Sequence, residues 1–123
     1  MGGGARAKLA FTELELKRYY KTLEKYVETR RPPPHIRPKL DLAYRIYGQS
    51  VEIFEVRPAF AGPNPTIEEP VAKATYVRRA HEWRVYWQRA DLNWHRYEPV
   101  PDVRSLDEFL ALIEEDEHCC FYG

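Results

Sequence analysis

Disulfide chemistry is the first thing this chain lacks. Among 123 residues only Cys119 and Cys120 occur, side by side, so no cystine framework staples the fold and a reducing compartment is expected. No apolar run approaches the roughly 20 residues needed to cross a bilayer. The opening MGGGARAKLAF also lacks the apolar core of a secretory leader, so a cytoplasmic protein with no membrane partner is expected. Internal repeats are missing, and so are a glycine-rich phosphate loop, a Ser-His-Asp set and a dinucleotide fingerprint. Net charge is zero as well, which gives only weak long-range attraction to polyanions.

What remains is an ordinary globular composition, 44% hydrophobic and 31% charged, long enough to bury a core without staples. We expect a flexible leader over 1–10 and one domain over 11–123. The charges are segregated. Residues 1–39 hold ten Lys or Arg against four Glu, whereas from Pro101 onward seven acids face Arg104 alone. Such asymmetry fits a basic surface with an acidic tail, or two ends that lie together and pair.

Thr12 with Glu15 three residues on is a capping box, and Phe11 with Leu16 a hydrophobic staple. Leu16, Tyr20, Leu23 and Val27 then repeat at helical spacing. Pro32-Pro33-Pro34 ends that helix in an extended polyproline segment. Next, LDLAYRIYGQSVEIFEVRP alternates on both sides of Gly48-Gln49, a two-residue hairpin loop. That register opposes Tyr47 to Ser50, Arg45 to Glu52 and Tyr44 to Ile53. It gathers Leu40, Leu42, Tyr44, Ile46, Val51 and Ile53 on one face, where Glu55 and Arg57 also fall. AFAGPNPTIEEP (59–70) reads as an exposed loop and a candidate flap. A second hairpin turns near Ala80-His81, putting Ala74, Tyr76, Trp83, Val85 and Trp87 on one face. A short turn at Ala90-Asp91 leads into a fifth strand, LNWHRY, and Ser105 with Glu108 caps a C-terminal helix bearing Phe109, Leu110 and Ile113. The class is therefore α+β: a five-stranded antiparallel meander, in the order α-β-β-β-β-β-α, with both terminal helices on one face.

On this scheme Trp83, Trp87, Leu92 and Trp94 point into the core. The other face carries Arg84, Tyr86, Gln88, Asn93, His95 and Tyr97, cations interleaved with rings as phosphate contact and base stacking require. The same pattern suits any solvated antiparallel sheet. The candidate ligand-binding set is Arg57, Arg84, Tyr86, Asn93, His95 and Tyr97. Glu55, Arg84 and His95 are the candidates for metal-independent acid–base work beside a cation. Asp41 with Glu55-Val-Arg57 echoes a metal-dependent nuclease pattern, but Arg stands where Lys belongs and Asp41 points away from Glu55. His118-Cys119-Cys120 makes a poor metal site because adjacent thiols do not readily share one ion. No metal or other cofactor is called for.

The blocks RRPPPHIRPKLDLAYRIYGQSVEIFEVRP, PVAKATYV, YWQRADLNWHRYEP and FLALIEEDEHCCFYG, spread from Phe11 to Gly123, resemble a family of small bacterial proteins, domain of unknown function 3024. That resemblance implies a stand-alone bacterial cytoplasmic protein and assigns no role to any residue. From the residues themselves we expect a binding module that meets nucleic acid through its Arg-, Tyr- and His-bearing sheet face. A protein-partner adaptor of antitoxin-like or immunity-like kind and a small ribonuclease-like enzyme are the rival expectations.

Overall fold

A computed structural model describes residues 11–123; the expected leader, 1–10, lies outside the described residues. Helix α1 (Glu13–Arg30) begins where the sequence places it. The Thr12 hydroxyl accepts from the Glu15 amide, and the Glu15 carboxylate accepts from the Thr12 amide, closing the capping box. Its buried stripe is Tyr19, Leu23 and Val27, with Leu16 packed alongside. Tyr20, expected in that stripe, is 44% exposed. Tyr19 takes its place because its ring meets Phe11 and Trp83 edge-on, at 5.0 and 5.2 Å between centroids. After the prolines the chain does not stay extended. Ile36 and Arg37 both donate to the Pro33 carbonyl, and Lys39 and Leu40 to that of Ile36, so residues 34–39 coil into consecutive turns.

Strands β1 (Asp41–Tyr47) and β2 (Ser50–Pro58) pair in the expected register, from Tyr47 opposite Ser50 to Asp41 opposite Val56. Gly48 holds a φ of 55°, the left-handed value this tight loop demands and glycine reaches without strain. Strand β3 runs from Thr66 to Val77, so only 59–65 of the expected loop is a loop. Pro70 is tolerated inside a strand for two reasons. Residues 66–70 pair with β2 alone, and the register shifts beside Pro70, leaving Val71 as an inserted, buried residue. A single 3₁₀ turn (Arg78–Ala80) and His81 in the left-handed region join β3 to β4 (Glu82–Gln88), with Tyr76 opposite Trp83 and Ala74 opposite Val85 as expected.

Strand β5 (Trp94–Arg96) lies along β4, and a further short strand, β6 (Asp102–Val103), continues the same rim. The two pieces flank Val85, which donates to Pro101 and accepts from Tyr97, while residues 98–101 loop outward between them. The sheet is thus the five-strand antiparallel meander plus this sixth piece. Helix α2 (Leu106–Glu115) follows. The Ser105 hydroxyl caps the Glu108 amide, but the Glu108 carboxylate reaches past Ser105 to the Arg104 amide, 2.6 Å away, so the second capping box is offset by one residue.

Both helices lie on one face of the sheet. Leu23 and Val27 of α1, Phe109 and Ile113 of α2, and Ile53 and Val85 of the sheet belong to one core. Segregated charge is resolved across that layer: Arg30 near the end of α1 meets Glu114 of α2 at 2.7 Å, and Arg31 forks onto Asp41 at 3.0 and 2.7 Å. The paired-ends reading of the charge asymmetry therefore describes Arg30, whose partner belongs to the acidic segment, and not Arg31, whose partner Asp41 opens the first strand.

Candidate nucleic-acid interface and the cleft beside it

The connection from β4 to β5 decides which residues can form a site. A two-residue turn at Ala90-Asp91 would set Gln88 opposite Asn93. The structure instead sets Gln88 opposite Trp94, because five residues, 89–93, form the loop. Leu92 takes a φ of 66°, its amide donating to Arg89, and Asp91 Oδ1 accepts from the Asn93 amide at 2.9 Å. One odd residue in a hairpin loop turns every following side chain to the other face.

The expected face is split accordingly. Arg84 and Tyr86 do lie on the face away from the helices. Asn93 is in the turn. Tyr97 is a core residue, 1% exposed, its ring 4.8 Å from that of Phe121. His95 faces the helix side, opposite Trp87. Trp94 and Leu92 are also corrected: Trp94 stands on the uncovered face beside Tyr86, and Leu92 is exposed in the turn. Glu55 and Arg57 sit on the helix-side face at the far end of the hairpin. Arg57 Nη2 donates to Glu55 at 2.9 Å, and its Nε lies 2.5 Å from Glu69, the β3 residue directly opposite Glu55. One guanidinium thereby serves two carboxylates. Glu55, Arg84 and His95 do not converge, and Asp41 is engaged by Arg31.

What the uncovered face does carry is a row of rings and cations. Lys73 lies 4.8 Å from the Tyr86 ring centre and 5.1 Å from that of Trp94, so one ammonium serves two rings. Burial pushes its pKa below the usual lysine value, Glu52 nearby opposing that shift. Arg96, directly opposite Tyr86, sits 5.9 Å from the same ring and bonds Asp102 at 2.8 Å. Arg45 covers Phe54 at 4.2 Å and pairs with Glu68. Arg84, exposed between these groups, makes no hydrogen bond or ion pair with the described residues. The acids Glu52, Glu68, Glu82 and Asp102 share the face, leaving it balanced in charge.

At the β5 rim lies a cleft of about 460 Å³ bordered by Trp87, Arg89, His95, Arg96, His118 and Cys120, with Glu98 at its margin. His95 Nε2 is 2.8 Å from Asp91 Oδ2. The Asn93 amide and then the His95 ring hold the Asp91 carboxyl below its usual range. Burial raises the Cys120 thiol, which keeps it protonated and a poor nucleophile at neutral pH. Among the described residues no three metal-ligating side chains converge. Trp94, Lys73 and Asp91 were missing from the sequence candidates, and His118 was weighed only as a metal ligand beside the two cysteines. The spacing Asp91-Leu92-Asn93, an aspartate able to accept from the amide two residues on, was the available sign of a longer turn.

Between the helices, Tyr26 donates to Glu114 at 3.0 Å and shares a 2.6 Å bond with Tyr122, whose ring lies 3.6 Å from the Arg30 guanidinium. Burial pushes the Tyr122 phenol from 10.0 up to about 12 and raises Tyr26 as well. A raised folded-state value means the fold favours the neutral phenol. That contribution is intact below pH 10 and is lost as pH climbs through about 12. Thermal melting over this range should fall steeply for the native chain and less steeply for a Tyr26→Phe/Tyr122→Phe double variant; equal slopes would contradict it.

No helix among the described residues is long and apolar enough to cross a membrane. No curated protein and no solved structure gives a match to this chain. One family model does match, over residues 11–123, and the chain thus belongs to the family described as Domain of unknown function (DUF3024).

Proposed function

We propose that this chain is a bacterial cytoplasmic binding module that takes single-stranded nucleic acid on the uncovered face of its sheet. One observation carries the reading: Tyr86 and Trp94 stand together on a face that no helix among the described residues covers, with Lys73 against both rings and Arg96 alongside. Flat rings accept bases of any sequence, and flanking cations accept the phosphates between them. Arg84 makes no ion pair with the described residues and so has no carboxylate there to leave. The two adjacent free thiols, Cys119 and Cys120, fit a reducing cytoplasm.

Titration with single-stranded RNA and DNA at several salt concentrations tests this. Affinity should fall as salt rises, because phosphate counterions are released. Arg84→Ala should lower the salt slope by about one. Tyr86→Ala or Trp94→Ala should each cost about 1–3 kcal/mol with the slope unchanged. A native protein with no salt-dependent binding would sink the reading. A protein partner, antitoxin-like or immunity-like, is the second reading. The interleaved Glu52, Glu68, Glu82 and Asp102 favour it, as does Phe60, 103% exposed in the 59–65 loop.

A further inference from the structure

We propose that the cleft at the β5 rim is a phosphodiester-cleaving site for RNA, with His95 and His118 as its proton-transfer pair. The inference rests on the nucleic-acid reading for its substrate and goes beyond it in assigning a reaction. The cleft adjoins the ring platform directly, since Arg96 borders the cleft and also lies over Tyr86. A strand held on Tyr86 and Trp94 needs only to pass over the short β5 edge to bring a phosphate into the cleft that both histidines border.

The residue types match what the reaction needs. His95 is oriented through Nε2 by Asp91, which leaves Nδ1 with no partner among the described residues. Asp91 is itself fixed by the Asn93 amide, so the pair is held by its own turn. His118 comes from the segment after α2 and borders the cleft, its ring centre 6.4 Å from that of Tyr97. Arg89 and Arg96 add two guanidinium groups, and Trp87 supplies an aromatic wall, 5.5 Å from Arg89. Glu98 is the one carboxylate bordering the cleft.

In the reaction, one imidazole takes the proton of a ribose 2′-hydroxyl, and that oxygen bonds to phosphorus. The bond from phosphorus to the 5′-oxygen breaks, and the other histidine, as imidazolium, gives its proton to the leaving oxygen. The products are a 2′,3′-cyclic phosphate and a 5′-hydroxyl, with no co-reactant consumed. The guanidinium groups offset the charge growing on the non-bridging oxygens. DNA, lacking the 2′-hydroxyl, is bound and left intact.

Incubating the full chain with an end-labelled single-stranded RNA, and with DNA of the same sequence, tests the proposal. RNA should be cut to cyclic-phosphate ends with a bell-shaped pH dependence, and DNA should not be cut. His95→Ala and His118→Ala should each slow cleavage by about 10²–10⁴-fold, while RNA affinity and circular dichroism stay unchanged. Asp91→Asn, a positioning change, should shift the pH profile and slow the reaction less. Trp94→Ala should raise KM more than it lowers kcat. Binding without cleavage between pH 5 and 8 would overturn the cleft proposal and leave the binding reading standing. Neither binding nor cleavage would overturn both. Cleavage that survives unchanged in both histidine variants would belong to a contaminant and overturn the proposal, and so would equal cleavage of DNA.

Discussion

Removing residues 103–123 should abolish cooperative unfolding altogether. The deletion takes away α2, and with it Phe109 and Ile113, both fully buried, together with Leu106 and Leu110. It also strips Phe121 from Tyr97, opening the core at the β5 rim. Burying each of these side chains is worth about 1.5–3 kcal/mol, and a domain of this size has a net stability of only about 5–15 kcal/mol. The shortened chain should give a non-sigmoidal melt and bind a hydrophobic dye. A soluble, cooperatively melting 1–102 fragment would contradict the one-core description.

Trp83→Ala should lower stability by about 3–5 kcal/mol, whereas Trp94→Ala should cost much less. Trp83 is 2% exposed and its ring touches those of Phe11, Tyr19 and Tyr76, so truncation leaves a cavity enclosed by aromatics. Trp94 is half-buried on the uncovered face, where water can fill the vacated space. Urea denaturation of the two variants would measure the difference. Equal losses would mean that Trp94 points to the helices and that the β4–β5 loop has an even number of residues.

That contrast marks the limit of what the sequence discloses. The first hairpin was legible residue by residue, because Gly48-Gln49 and clean alternation leave a single register. The α1 cap, the second hairpin and the placing of both helices on one face were legible for the same reason: local chemistry and burial agree. The β4–β5 connection was not, because Ala90-Asp91 looks like a complete turn and a leucine does not announce left-handed backbone, which leaves the Asp91-to-Asn93 spacing as the one weak sign. An error of one residue there placed His95 and Tyr97 on the wrong face and hid Trp94. Strand β3 was cut short for a related reason. Pro70 reads as a strand breaker until the unpaired edge and the inserted Val71 are known. Arg57 was legible as a group needing a carboxylate, but Glu69, its second partner, lay inside what looked like loop.

The divided rim along β4 has a consequence for how molecules of this chain can meet. Open strand edges invite another chain to add itself by main-chain hydrogen bonding, which is how many β-rich proteins aggregate. Here the outermost strand is three residues long, then two, with Pro99 and Pro101 in the excursion between the pieces. Neither fragment offers a templating run, and proline has no amide proton to give a newcomer. At concentrations where flat-edged sheets begin to polymerise, growth from this side is blocked at its first step. The rim can accordingly stay beside a working surface without becoming a seed for fibres.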